Sequence, residues 1–133
     1  AKTLMKYQDP QSGTWYQVTD QGAREGNYLE SSATALFIYT LAKAVNKGYI
    51  SKDYIEPTRK AFDGMVKTFT RLEEDGSYTI TNCCAVAGLG GDSKRYRDGS
   101  FEYYISEPVI ENDPKSVGSF ILAAIEYEKM TDK

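Results

Sequence analysis

Two helix-forming runs carry almost no charge, and they limit the folds open to this chain. Between Ser31 and Asn46, in "SSATALFIYTLAKAVN", the only charged residue is Lys43, and from Ser116 to Ile125, in "SVGSFILAAI", there is none. A helix that is apolar on nearly all sides has to be covered all round. The run "PTRKAFDGMVKTFTRL" is different. Phe62, Met65, Phe69 and Leu72 recur there at helical spacing, with Arg59, Lys60, Asp63 and Lys67 between them. That pattern predicts an amphipathic helix with one wet face. Stacked hairpins of inner and outer helices satisfy both patterns, and the opening residues read as the end of another outer helix entered partway.

The punctuation agrees. Asn27 is an N-cap for the first buried helix, and Asn46 with Gly48 ends it. Ser51 to Glu56 reads as a short turn, with Pro57 at the first position of the amphipathic helix. Asp113 followed by Pro114 starts the last helix, which turns polar at "EYEKMTDK". A faint internal repeat of helix end, acidic turn, glycine and aromatic segment runs through "YQDPQSGTWYQV" and again through "TRLEEDGSYTIT". The loops before the buried helices then emerge on one rim, beside helix N-termini whose free N–H groups suit anionic groups.

Composition removes several kinds of chemistry. The chain has 133 residues and a net charge of -3, without the basic patch that nucleic acid requires. No apolar run reaches the length of a membrane span. There is no histidine, so a Ser-His-Asp triad or a His-ligated metal site cannot be assembled from this chain alone. Cys83 and Cys84 are adjacent, which fits neither a zinc pair nor a disulfide framework, and they read as structural. "GLGGDS", Gly88 to Ser93, lacks the rest of a phosphate-binding motif and reads as a turn.

The candidate site residues lie in the rim loops. Trp15 and Tyr16 are either core or a platform for sugar C–H faces, with Gln17 beside them to read hydroxyls. Glu30 and Ser31, in the first turn of a buried helix, either complement the helix dipole or face a ligand. Tyr103 and Tyr104 follow the turn "RDGS" in what reads as an extended segment. Asp98, Glu102, Glu107, Glu111 and Asp113 crowd one loop, and a carboxylate pair is the usual minimum for glycoside hydrolysis. Lys115 either pairs with Glu107 or Glu111 or meets an anionic ligand.

"DPQSGTWYQV", "GNYLESSATALFIYTLAKAVNKGYI" and "YRDGSFEYYISEPVIENDPKSVGSFILAA" together resemble the C-terminal half of the unsaturated rhamnogalacturonyl hydrolases, glycoside hydrolase families 105 and 88. The resemblance covers nearly the whole chain. It implies an all-α fold, an incomplete (α/α)6 toroid of helical hairpins with short β-hairpin-like loops at the active-site rim. It also implies removal of an unsaturated uronic acid from the non-reducing end of pectin-derived oligosaccharides. In that reaction an Asp protonates C4 of the C4=C5 double bond, water attacks C5, and the hemiketal rearranges to release the sugar. No metal or organic cofactor is implied.

The family's general-acid Asp, active-site His residues and Trp/Arg platform belong to motifs upstream of anything matching this chain. Residues 1–133 are therefore expected to be a C-terminal fragment of one domain, inactive alone and prone to self-association through apolar flanks. The positions carried over as substrate-binding are Trp15, Tyr16, Gln17, Glu30, Ser31, Tyr103, Tyr104 and Lys115. The competing expectation is a non-catalytic helical module that binds carbohydrate or protein. The sequence leaves cytoplasm and periplasm equally open.

Overall fold

The computed structural model describes residues 1–22, 24–92 and 96–131. Within them run helices α1 (Lys2–Lys6), α2 (Ser31–Asn46), α3 (Ile55–Phe69), α4 (Phe101–Ser106) and α5 (Pro114–Thr131). Two short antiparallel ladders join them. Strand β1 (Thr70–Leu72) pairs with β2 (Tyr78–Ile80), placing Arg71 opposite Thr79. Strand β3 (Cys83–Cys84) pairs with β4 (Val109–Ile110), placing Cys84 opposite Val109. The fold is helical, with its few strands at the helix ends. No helix among the described residues is long and apolar enough to cross a membrane.

The most extensive packing is between α2 and α5, the two charge-poor helices, and α3 lies against both. Ala35, Ala42 and Ala123 are fully buried, and such small side chains let the helices approach closely. Ile38, Leu41, Met65 and Phe69 fill the space between, each contributing about 1.5–3 kcal/mol by leaving water. On α3 the Phe62 ring stacks on Tyr127 of α5 with centroids 3.9 Å apart. Covering is nevertheless incomplete. Ile121, Leu122 and Ile125 of α5 are exposed and leave that helix an open apolar face, while α2 exposes the single apolar side chain of Leu36.

Several boundaries differ from expectation for local reasons. The N-cap of α2 is Glu30, because Leu29 still forms an extended bridge to Tyr16 and the helix cannot start at Asn27. Asn27 instead ties its loop, donating to Val18 O (2.9 Å) and Gln21 O (2.8 Å). A 3-10 turn, Lys52–Tyr54, capped by Ser51, leads α3 to start at Ile55. Pro57 is therefore its third residue, still within the turn where a missing N–H costs nothing. Leu72 lies beyond α3 in β1 and is exposed. The segment read as extended after "RDGS" is α4, because Ser100 caps it by accepting from Tyr103 N at 3.1 Å. Ser93 of "GLGGDS" lies outside the described residues.

The two halves of the faint repeat share a left-handed glycine but not a hairpin. Gly76 (φ 84°) turns β1 into β2. Gly13 (φ 77°) closes a turn in which Ser12 N donates to Asp9 Oδ2 at 2.7 Å, and that turn lies flat on α3. Gly64 permits the contact: a Cβ there would come within 1.8 Å of Ser12 O. The close approach delivers the following residues, Thr14 to Val18, across the N-terminal end of α2.

Candidate functional site

The rim at the start of α2 and α5 is organised by one carboxylate. Glu30 is 1% exposed, and its Oε1 accepts from Cys84 N (3.0 Å), Ser32 N (3.2 Å) and Ser32 Oγ (2.9 Å). Its Oε2 accepts from Ala33 N at 2.7 Å. Two of these donors are orphan amides of the helix start, where negative charge is favoured by the dipole. Cys84 N lies in β3, so the same side chain fastens that strand to the mouth of α2. Glu30 is an internal cap, with every hydrogen bond directed to protein.

Strand β3 is the hub. Ser31 N donates to Asn82 O at 2.9 Å, and Ala85 N donates to Pro108 O at 2.9 Å. Lys115, in the first turn of α5, reaches Ala85 O at 3.1 Å. Gln17 Nε2 donates to Cys84 Sγ at 3.1 Å, and that thiol donates to Val86 O at 3.1 Å. Burial pushes the Tyr28 phenol well above its usual value, reinforced by neighbouring Cys84 and Glu30. Burial also raises the Cys83 thiol, with the Glu30 charge adding to it. Alternation along the strand turns the Cys83 and Cys84 side chains to opposite faces.

The expected site residues are distributed as follows. Gln17, Glu30, Ser31, Tyr103 and Lys115 gather around β3 and β4. The Ser31 hydroxyl is fully buried without a hydrogen-bond partner among the described residues. Tyr103 packs against Tyr104 with centroids 5.0 Å apart, and burial followed by the Glu107 charge raises the Tyr103 phenol. Tyr16 lies apart, between open clefts of about 330 and 430 Å³ that it shares with Asp9, Gly22, Gly64 and Lys67. Trp15 is fully buried: its Nε1 donates to Leu4 O at 2.9 Å and its ring meets Phe37 edge-on at 5.3 Å. It is a core side chain, not a rim platform, because it plugs the space between α1 and α2.

The crowded carboxylates each have a partner. Glu111 makes a two-pronged pair with Arg71 (2.8 and 3.0 Å), and Glu102 pairs with Arg24, whose guanidinium also lies 3.8 Å over the Phe101 ring. Glu107 accepts from Arg97 Nε at 3.3 Å. Lys115 pairs with Asp113 at 2.7 Å rather than with Glu107 or Glu111. Asp98 is held below the usual range by Ser100, Glu111 by Arg71 and Asp113 by Lys115. A general acid at neutral pH needs the opposite shift, so these three are poor proton donors. The Arg97–Glu107 pair had no signal in the sequence, since its members flank α4.

Asp113 also sets a pH dependence. Its carboxyl is depressed first by the Lys115 ammonium and then by Lys115 N, which donates to Oδ1 at 2.8 Å. The stability it contributes is complete above the unfolded pKa of about 3.9 and is lost as pH falls through the lower folded value. Melting temperatures of wild type and D113N should differ at pH 6 and converge once pH has fallen below the depressed folded value. An equal difference at both ends would contradict this assignment.

The comparisons with known proteins bear on the same elements. The chain is 39% identical over 120 residues to Protein Atu3128 of Agrobacterium fabrum, a match covering 87% of this chain and 52% of that protein. The 24.9 kDa protein in the picA locus of Rhizobium radiobacter matches with the same figures. The chain thus spans about half the length of the curated relatives it matches. A glycoside hydrolase of family 105 from C. acetobutylicum superposes with a TM-score of 0.92 at 46% identity, over 96% of this chain and 35% of that one. A possible member of the same family from Salmonella enterica superposes with a TM-score of 0.75 at 27% identity, over 98% of this chain and 29% of that one. The helices, the capped rim and the loops around β3 all fall within one sequence family, whose model matches residues 1–131: the chain belongs to Glycosyl Hydrolase Family 88.

Proposed function

We propose that this chain is the C-terminal part of a glycoside hydrolase that removes an unsaturated uronic acid from the non-reducing end of pectin-derived oligosaccharides. The family match, joined to a rim of polar and aromatic groups at the shared start of α2 and α5, is the observation that carries this reading. The reaction adds water across C4=C5: a proton goes to C4, hydroxyl to C5, and the resulting hemiketal opens to release the remaining sugar. This chain supplies one wall of the pocket. Gln17 and Lys115 each keep an N–H beyond those spent on Cys84, Asp113 and Ala85 O and offer it to hydroxyl or carboxylate oxygens, and Tyr104, backed by buried Tyr103, offers aromatic surface. The proton donor comes from residues outside these 133, in keeping with the ion-paired state of the rim carboxylates.

In this reading the helices are part of an (α/α)6 toroid. The exposed side chains Leu36, Ile121, Leu122 and Ile125 are then flanks that neighbouring hairpins cover. Without those neighbours, copies of the chain associate through them. The competing reading, a binding module without catalysis, draws on the pairing of the rim carboxylates. Loss of the unsaturated uronyl absorbance separates the two. A gene product extending upstream to the missing Asp should consume an unsaturated pectin disaccharide, while residues 1–133 alone should not. Turnover by residues 1–133, or none by the longer protein, would contradict the proposal.

A further inference from the structure

Cationic side chains at the rim are held differently: Arg71 is taken up by Glu111 and Glu73. Arg24 is engaged by Glu102 and Gln21 and lies over Phe101. The Lys115 ammonium is taken up by Asp113 and Ala85 O. Arg97 is held through Nε alone, by Glu107, and no other described residue accepts from its guanidinium. Toward the described residues, the two Nη groups therefore keep an open planar fork of N–H donors.

The support behind that fork is built in. The Glu107 side chain is 0% exposed and that of Arg97 is 29% exposed, so the carboxylate lies inside and the guanidinium reaches outward. The Arg97 backbone is fixed by a reciprocal bridge to Gly90, with N–H···O distances of 2.9 and 2.8 Å. Glu107 closes α4 and leads into β4, next to the Pro108 carbonyl that binds Ala85. Beside the pair lie Tyr103, whose hydroxyl is closed off from solvent, and Tyr104, whose ring is partly open. A guanidinium fixed from behind, next to aromatic surface, suits a planar carboxylate carried on a sugar ring.

We propose that Arg97 binds the carboxylate of an acidic sugar through its two Nη groups, and that Glu107 is the positioning residue that aims it. The proposal rests on the sugar-acid reading above and adds the group that distinguishes an acidic sugar from a neutral one. Glu107 offsets the Arg97 charge, so fork geometry contributes to selection beyond charge alone. Lysine should therefore not replace Arg97.

The test is calorimetric binding of an unsaturated digalacturonate, and of the same disaccharide with its carboxyl groups reduced to hydroxymethyl. The probes are added to the protein that carries the complete family domain, with its proton-donating Asp replaced by Asn so that the disaccharide is bound and not consumed, and in that background with Arg97 and Glu107 intact or as R97Q, R97K and E107Q. R97Q and R97K should each weaken the acidic disaccharide by roughly ten- to hundredfold and leave the neutral one unchanged. E107Q should reduce the acid-over-neutral preference, a ratio that general loosening of the fold does not alter. Preference for the acid that survives in R97Q overturns the role of Arg97 while leaving the sugar-acid reading intact. Equal loss of both ligands in the Arg97 variants also overturns it, as a structural effect. Binding of neither ligand with Arg97 and Glu107 intact overturns the reading and the proposal together.

Discussion

Replacing Glu30 with alanine is expected to lower the unfolding free energy by about 3–5 kcal/mol. Loss of an N-cap alone costs about 0.5–2 kcal/mol, as measured where water can take over the freed amides. Here water cannot easily do so. The carboxylate is buried and answers Ser32 N, Ala33 N and Cys84 N together. Each buried donor left without a partner adds about 1–3 kcal/mol. Glu30→Gln keeps the shape and one acceptor oxygen, so it should recover part of the loss but not the charge-assisted share. Denaturant titrations of both variants decide this. A loss below about 1 kcal/mol for E30A would show an ordinary exposed cap.

Trp15→Ala should cost a similar amount, about 3–5 kcal/mol, by a different route. The ring is enclosed by Leu4, Phe37 and the buried face of α2, so truncation opens a cavity that the helices cannot collapse without moving. The edge-on contact with Phe37 contributes about 0.5–1.5 kcal/mol beyond area, and Leu4 O loses its indole donor. Trp15→Phe should lose markedly less. A rim tryptophan that served as a sugar platform would behave in the opposite way, with stability nearly unchanged and ligand affinity gone. The midpoint of urea unfolding at constant m separates these outcomes.

The helices were legible where a single physical signal ran for ten residues or more. Freedom from charge marked α2 and α5, and Phe62, Met65 and Phe69 marked α3 by their spacing. Short elements escaped, because α4 rests on one serine cap and on Phe101 and Tyr103 turning inward, contacts made with distant chain. The same limit governed the rim. That Glu30 begins a buried helix is visible in the sequence; that its carboxylate also takes Cys84 N, from 54 residues away, is not. Trp15 and Tyr16 read as one aromatic unit, yet alternation along the backbone sends them to different surroundings. Arg97 and Glu107 meet only because α4 folds between them, and no periodicity reports such a pair.

Residue-by-residue chemical-shift mapping would show whether a sugar-acid pocket is built around β3, β4 and the starts of α2 and α5. The protein is titrated with an unsaturated digalacturonate while backbone amide, Gln side-chain and Arg side-chain signals are followed. Saturable shifts are expected at Gln17, Cys84, Arg97, Tyr103, Tyr104 and Lys115, with the Trp15 indole unmoved. Shifts confined to the clefts around Tyr16 and Lys67, or to the open face of α5, would contradict it.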